Sequence, residues 1–225
     1  DFSLEEAMVI KESSDTEVEV VVVSVGPERV DDILRKCLAK GADRAIRVWD
    51  DAMEGSDSVT IGRILSAVVE KEKPDMVFAG VQSSDDAAGS TGISLAASLN
   101  WPHAAVVAGL EYQPGSNKAK ITRELEGGLS QIVEIDCPSV LTIQLGINTP
   151  RYASLRGIKQ AAAKPVDEIS LADLGLSDSD VGVDAALSRV RRMYIPEKGM
   201  ASMIEGTPAE QAAKLAEIIR EFKGE

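Results

Sequence analysis

The sequence predicts an α/β fold: a mostly parallel sheet flanked by helices, with an added antiparallel hairpin region and an extended C-terminal arm that ends in a helix. Three observations carry this. Short apolar runs at 20–23, 44–48 and 76–80 alternate with longer stretches of helical periodicity, the rhythm of parallel strands joined by right-handed crossovers. After Trp101 the rhythm shortens to strands at 104–107, 110–112, 119–124 and 131–135, with Pro114-Gly115-Ser116-Asn117 and Glu126-Gly127-Gly128 as turns, which reads as hairpins. Beyond residue 150 the chain becomes polar and small-residue-rich, too sparse in apolar residues to build a second core.

Taken in order, a helix is expected over 4–12, where Ser3 followed by Glu6 forms a capping box. A strand is expected ahead of such a helix, so residues are expected to be missing at the front. Val20-Val21-Val22-Val23 is β-branched throughout and reads as a central strand covered on both faces. Gly26-Pro27 breaks it and starts a helix with Val30, Ile33, Leu34, Cys37 and Leu38 on one stripe, ended by Gly41 as a left-handed cap. Strand 44–48 and the acidic loop 50–57 lead to a helix over 59–73, which Pro74 stops.

The run Met76-Val77-Phe78-Ala79-Gly80 is a buried strand. It opens into Val81-Gln82-Ser83-Ser84-Asp85-Asp86-Ala87-Ala88-Gly89-Ser90-Thr91-Gly92, and a helix resumes over 93–99. Strand, small-residue loop and helix N-terminus together offer backbone N–H groups and a positive dipole end to an anion, at the strand end where open α/β sheets collect ligands. Asp85 and Asp86 repel a phosphate, so an anion belongs over Gly89, Ser90 and Thr91. Two readings stand: a nucleotide-phosphate cradle, or a helix merely capped by Ser84 or Asp85. The spacing matches neither of the common glycine-rich nucleotide motifs.

A net charge of −13 at pH 7 argues against nucleic acid or an anionic membrane as partner, since both require basic surface. No apolar run is long enough to insert into a membrane and no signal-peptide pattern is present. Cys37 and Cys137, without a CxxC motif, read as small core residues in a reducing cytosol, and His103 as structural. Neither a metal cluster nor a catalytic triad is legible. Ser139 to Ile143 is a further apolar strand, and the α/β domain is expected to close at residue 149.

The next stretch, 151–161, sets Tyr152 and Leu155 among Arg151, Arg156 and Lys159 in an otherwise acidic chain. It reads equally as a short helix packed on its own domain or as a docking loop anchored by Leu155. Residues 165–182 suit an extended linker, 189–196 a basic, apolar, strand-like arm, and 209–222 a helix introduced by Thr207-Pro208. Linker, arm and helix together read as a segment that wraps a partner subunit.

Many landmarks in this order resemble the β subunits of electron transfer flavoproteins: Val23-Ser24-Val25-Gly26-Pro27, Cys37-Leu38-Ala39-Lys40-Gly41-Ala42-Asp43-Arg44, Leu99-Asn100-Trp101-Pro102, Arg123-Glu124-Leu125-Glu126-Gly127-Gly128, Cys137-Pro138-Ser139-Val140 and Pro150-Arg151-Tyr152-Ala153-Ser154-Leu155. The resemblance implies an adenine-nucleotide-binding α/β domain over 1–149 and a heterodimer carrying one FAD held mainly by the α subunit. It implies an AMP in this subunit at Gly80, Val81, Gln82, Ser83, Ser84, Asp85, Asp86, Ala87, Ala88, Gly89, Ser90 and Thr91, near Val25 and Gly26. It makes 150–164 a recognition loop whose docking residues are Arg151, Tyr152, Leu155, Arg156 and Ile158, with Leu155 the anchor in a dehydrogenase. Residues 165–225 then wrap the α subunit. The arm looks like the methylotroph branch, whose partner is trimethylamine dehydrogenase, which implies a bacterial cytoplasmic electron carrier rather than an enzyme. Members that bifurcate electrons bind a second FAD in place of AMP and typically carry a different sequence where this chain reads Asp85-Asp86-Ala87-Ala88, which favours AMP.

Overall fold

A computed structural model describes residues 1–197 and 199–224. They divide into two compact units, 1–189 and 190–225. The first unit has the expected alternation: α1 (Phe2–Ser13), β1 (Val21–Val25), α2 (Asp31–Lys40), β2 (Arg44–Val48), α3 (Ser58–Glu72), β3 (Met76–Gly80) and α4 (Thr91–Leu99). There follow β4 (His103–Glu111), β5 (Lys118–Glu124), β6 (Ser130–Asp136), β7 (Ser139–Ile143), α5 (Leu155–Ala163), β8 (Val166–Ile169) and the single turn α6 (Gly182–Ala185). The strands form two sheets, β1-β2-β8, parallel throughout, and β3-β7-β4-β5-β6, in which β4, β5 and β6 are antiparallel. The α/β class with its hairpin region is therefore as the sequence predicts.

Several local expectations are corrected. Among the described residues the four-valine run forms β1, which pairs with β2 and is half-buried along its length. Ser3 does not cap α1, because the helix starts two residues earlier behind Asp1, which places Ser3 inside it. Its hydroxyl instead donates to the Ala79 carbonyl at 3.0 Å, and Glu6 accepts from Asn148 Nδ2 at 2.9 Å. The strands expected at 104–107 and 110–112 are one strand, β4, interrupted by bulges on both edges. Residues 165–182 are not an extended linker. Here β8 pairs in parallel with β2, and Ile169, Leu171 and Val181 enter a core with Ile46, Val48, Met53, Ile64 and Val68. Burying each such side chain contributes about 1.5–3 kcal/mol, enough to hold the segment on the domain.

Glycines set the closest approach. A Cβ on Gly62 of α3 would fall 2.8 Å from the Leu95 nitrogen of α4, so only glycine permits this helix crossing. Gly41 ends α2 as expected, its N–H bonded to the Cys37 and Leu38 carbonyls, but at φ +125° and ψ −4°, outside the left-handed helical region the sequence predicts.

The second unit begins as a chain without assigned helix or strand, so the strand-like arm expected at 189–196 does not form a sheet pairing. It exposes Val190, Met193, Tyr194, Ile195, Met200 and Met203. It ends in α7 (Pro208–Lys223), where Thr207 and Glu210 complete a capping box and Pro208 occupies the first turn, as predicted.

Candidate functional site

Parallel strands leave their carboxyl ends open, and β3 ends in the small-residue loop. A Cβ on Gly80 would meet no atom within 4 Å, so the space above the strand end is free. The predicted site residues Val81, Gln82, Ser83, Ser84, Asp85, Asp86, Ala87, Ala88 and Gly89 are at most half-buried, with no helix or strand among them, and Ser90 and Thr91 open α4. The loop holds its own shape: Gln82 Nε2 donates to the Ala87 carbonyl at 2.6 Å, Ser83 Oγ to Asp86 at 2.7 Å, and the Ala88 N–H to Asp86 at 3.0 Å. The Ser83 hydroxyl and the Asp86 N–H lower the Asp85 pKa. The Ala88 N–H and the Ser83 hydroxyl do the same for Asp86. Both carboxylates are therefore ionised at neutral pH, and they occupy the loop's early N–H groups, which leaves an anion the later ones.

Those later groups are open. Neither Ser84 nor Asp85 caps the helix, since α4 begins several residues further on, and among the described residues no side chain caps its first turn. The N-cap residue Ser90 turns its hydroxyl to Ser58 Oγ, 2.6 Å away at the start of α3. The first turn of α4 thus presents uncapped N–H groups and the positive end of the helix dipole. Gly92 is what seats this turn: a Cβ there would lie 2.6 Å from Thr142 Cγ2 and 3.2 Å from Ala79 Cβ, so only glycine brings the helix start down onto β3 and β7. Val25 and Gly26 lie at the end of β1, another parallel strand end, and the Gly26 N–H donates to the Val48 carbonyl at 3.0 Å.

Sequence reasoning missed two features in the same strand row. Gly80 pairs with Ile143, Ile143 with Val107, and Val107 with Arg123. Beside this row Val106 takes φ +60°, costly for a β-branched residue, with its N–H on Thr142 Oγ1 at 3.2 Å. No residue signal announces it, because valine is among the least expected residues at positive φ. Arg123 Nε is buried and without a hydrogen-bond partner among the described residues. The uncapped helix start suits an anionic group such as a nucleotide phosphate, so the residues present fit the cofactor type the resemblance implies.

The docking stretch lies elsewhere on the unit. Ser154 caps α5, its hydroxyl accepting from the Gly157 N–H at 3.0 Å. Gly157 and Ala161 face α2, where a Cβ on Gly157 would be 2.2 Å from the Ala39 carbonyl oxygen. Tyr152, Leu155 and Ile158 face away, 98%, 82% and 51% exposed, with Arg156 exposed among them. The stretch is therefore both a short helix packed on its own domain and an exposed apolar face. Arg151 is placed differently from its predicted neighbours. Its guanidinium bonds Glu5 and Glu12 of α1, and the hydrogen bonds it donates outweigh partial burial and depress both carboxylates' pKa values.

The α/β unit thus carries an uncapped helix start at an open strand end and, separately, an exposed apolar helix face. Residues 2–174 match the electron transfer flavoprotein domain. The chain is 76% identical over 224 residues to the electron transfer flavoprotein subunit beta of Methylophilus methylotrophus, spanning 100% of this chain and 85% of that one. It is 34% identical over 222 residues to the subunit beta of Bos taurus, covering 98% and 83% of the two chains. Against the caffeyl-CoA reductase-Etf complex subunit CarD of Acetobacterium woodii it is 34% identical over 213 residues, covering 94% and 80%. The chain belongs to the electron transfer flavoprotein family, in its β-subunit branch, whose work is electron transfer.

Proposed function

We propose that this chain is the β subunit of a heterodimer with an electron transfer flavoprotein α subunit, which holds most of one FAD, and that it accepts single electrons from a dehydrogenase in the bacterial cytoplasm. FAD, when bound, supplies the reversible electron chemistry. The chain's own residues do three other things. The uncapped start of α4 and the loop from Gly80 to Thr91 hold an AMP as a structural anion, with Val25 and Gly26 beside it. Tyr152, Leu155 and Ile158, with Arg156, dock the donor. The second unit, with its row of exposed apolar side chains and α7, wraps the α subunit. Trimethylamine dehydrogenase is the donor this reading favours, on the high identity to the Methylophilus methylotrophus subunit.

The observation that carries the reading is the uncapped N-terminus of α4, seated by Gly92 over an open strand end. The test is to co-express the chain with its α partner, denature the purified complex and quantify the released nucleotides by chromatography. About one FAD and one AMP per heterodimer is the expected result. Two FAD and no AMP would replace this reading with a bifurcating flavoprotein. Absence of FAD or of a co-purifying partner would replace it with a stand-alone adenine-nucleotide-binding regulatory module. No helix among the described residues is long and apolar enough to cross a membrane.

A further inference from the structure

An exposed apolar anchor binds well only if the segment carrying it is ordered before the encounter, because every side chain and peptide frozen on binding subtracts from affinity. The segment around Leu155 has few apolar contacts of its own, so something else must order it. Its C-terminal half is seated on α2 through the Gly157 close approach and buried Ala161, and Arg35 donates to the Ala161 carbonyl at 3.3 Å and the Lys164 carbonyl at 3.4 Å. Its N-terminal half, from Asn148 to Ser154, is tied down by polar bonds.

Those bonds run to one helix. The Arg151 N–H donates to Glu5 Oε2 at 2.9 Å, and its Nε reaches the same oxygen at 2.9 Å. Its terminal nitrogens bond Glu5 Oε1 at 3.0 Å, Glu12 Oε2 at 2.9 Å and Glu12 Oε1 at 2.5 Å. Glu5 and Glu12 stand two turns apart on α1, which puts both carboxylates on one side of it. Glu5 is 8% exposed, so its bonds to Arg151 are shielded from water and salt. Asn148 adds a second tether on α1, with its Nδ2 3.1 Å from the Phe2 carbonyl oxygen.

We propose that Glu5 and Glu12 are positioning residues for donor docking: they clamp Arg151 and so fix Tyr152 and Leu155 in their binding geometry, which also removes Arg151 from the set of charges offered to the donor. The inference rests on the docking reading above and deepens it. Arg156 and Lys159 then remain as exposed cations in the same stretch as the apolar anchor. The clamp acts before contact, so its loss weakens association and leaves electron transfer within the formed complex unchanged.

The experiment compares the assembled heterodimer carrying Glu5→Gln with Glu12→Gln against the parent and against Leu155→Ala, with reduced trimethylamine dehydrogenase as the probe. Flavin reduction is followed over a range of donor concentrations, and amide hydrogen exchange over residues 151–163. The expected result for the double variant is a roughly three- to tenfold rise in the half-saturating donor concentration. Its limiting rate and its FAD and AMP content should match the parent, and amides 151–155 should exchange faster. The Glu12→Gln variant alone, at the exposed end of the clamp, should show the same pattern more weakly with an unchanged melting temperature. If Leu155→Ala raises half-saturation and the double variant does not, the clamp is overturned and the docking reading stands. If Leu155→Ala itself reacts like the parent, the docking reading falls and the clamp's role in docking falls with it.

Discussion

Replacing Asp57 by Asn tests how the end of the first unit is tied down. Asp57 is the N-cap of α3, with Oδ1 accepting the Thr60 N–H at 2.9 Å. Its other oxygen accepts the Leu187 N–H at 2.9 Å, the Ser188 N–H at 2.9 Å and the Ser188 hydroxyl at 3.1 Å. Partial burial alone would raise its pKa, but the bonds from Thr60 and Ser188 outweigh that and bring it from 3.8 to about 2. A folded pKa below the unfolded one means stabilisation that is fully present above 3.8 and lost as pH falls through about 2. At about 1.36 kcal/mol per pKa unit the difference corresponds to roughly 2.4 kcal/mol, which solvent screening at this partly exposed site reduces to about 1–1.5 kcal/mol. Asn keeps the cap on Thr60 but turns an NH₂ toward the Leu187 and Ser188 donors, so it removes that amount and little else. For a chain of this size the melting temperature of the assembled protein should fall by roughly 2–6 °C at pH 7. Amides of Leu187 and Ser188 should exchange faster. Because Asn imitates the protonated acid, roughly half the gap should be gone by pH 3. Equal melting temperatures at pH 7, or a gap of undiminished size at pH 3, would refute the reasoning.

Three further outcomes are expected. Leu155→Ala should change stability by less than about 0.5 kcal/mol, since the side chain is 82% exposed, and slow reduction by the donor without changing FAD content; equal rates would remove its docking role. Gly62→Ala should cost about 1–3 kcal/mol by pushing α4 off α3, read as a lower denaturation midpoint and, because α4 opens the cradle, a lower AMP content. Gly89→Val should lower AMP per heterodimer, since Gly89 sits at φ +61° where a β-branched residue is strained; normal nucleotide content would dispose of the cradle.

What could be read from the residues was what local chemistry decides. Strands Arg44–Val48, Met76–Gly80 and Ser139–Ile143 are uninterrupted by turn residues and fall where expected, as do the Gly41 cap and the Thr207-Pro208 helix start. Strand Val166–Ile169 escaped notice because it is Val-Asp-Glu-Ile in a polar stretch, and only its pairing with Ala45–Val48, far back in the chain, makes it a strand. At the cradle, the small residues marked the loop, but that Ser90 spends its hydroxyl on Ser58 rather than on its own helix depends on how α3 meets α4. Arg151 reads as one more exposed cation until α1 is placed beside it.

Helix α1 shows why so much hangs on a segment with a weak amphipathic signature. Leu4, Ala7 and Met8 pack with Val20 and Val22, against the three-stranded sheet, while Phe2 packs with the core of the five-stranded one. Ser3 holds the carbonyl of Ala79, one residue before the cradle begins, and Glu5 and Glu12 hold the docking segment. One helix thus braces both sheets, the end of the strand that closes at Gly80 and the stretch around Arg151, using apolar residues for the first task and polar ones for the others. Its polar residues are spent on bonds to distant parts of the chain, which is why periodicity alone undervalues it. A change that loosens the whole helix must therefore disturb nucleotide content and docking together, whereas a change confined to Glu5 and Glu12 reaches docking alone, because neither carboxylate bonds to the strand that ends at Gly80.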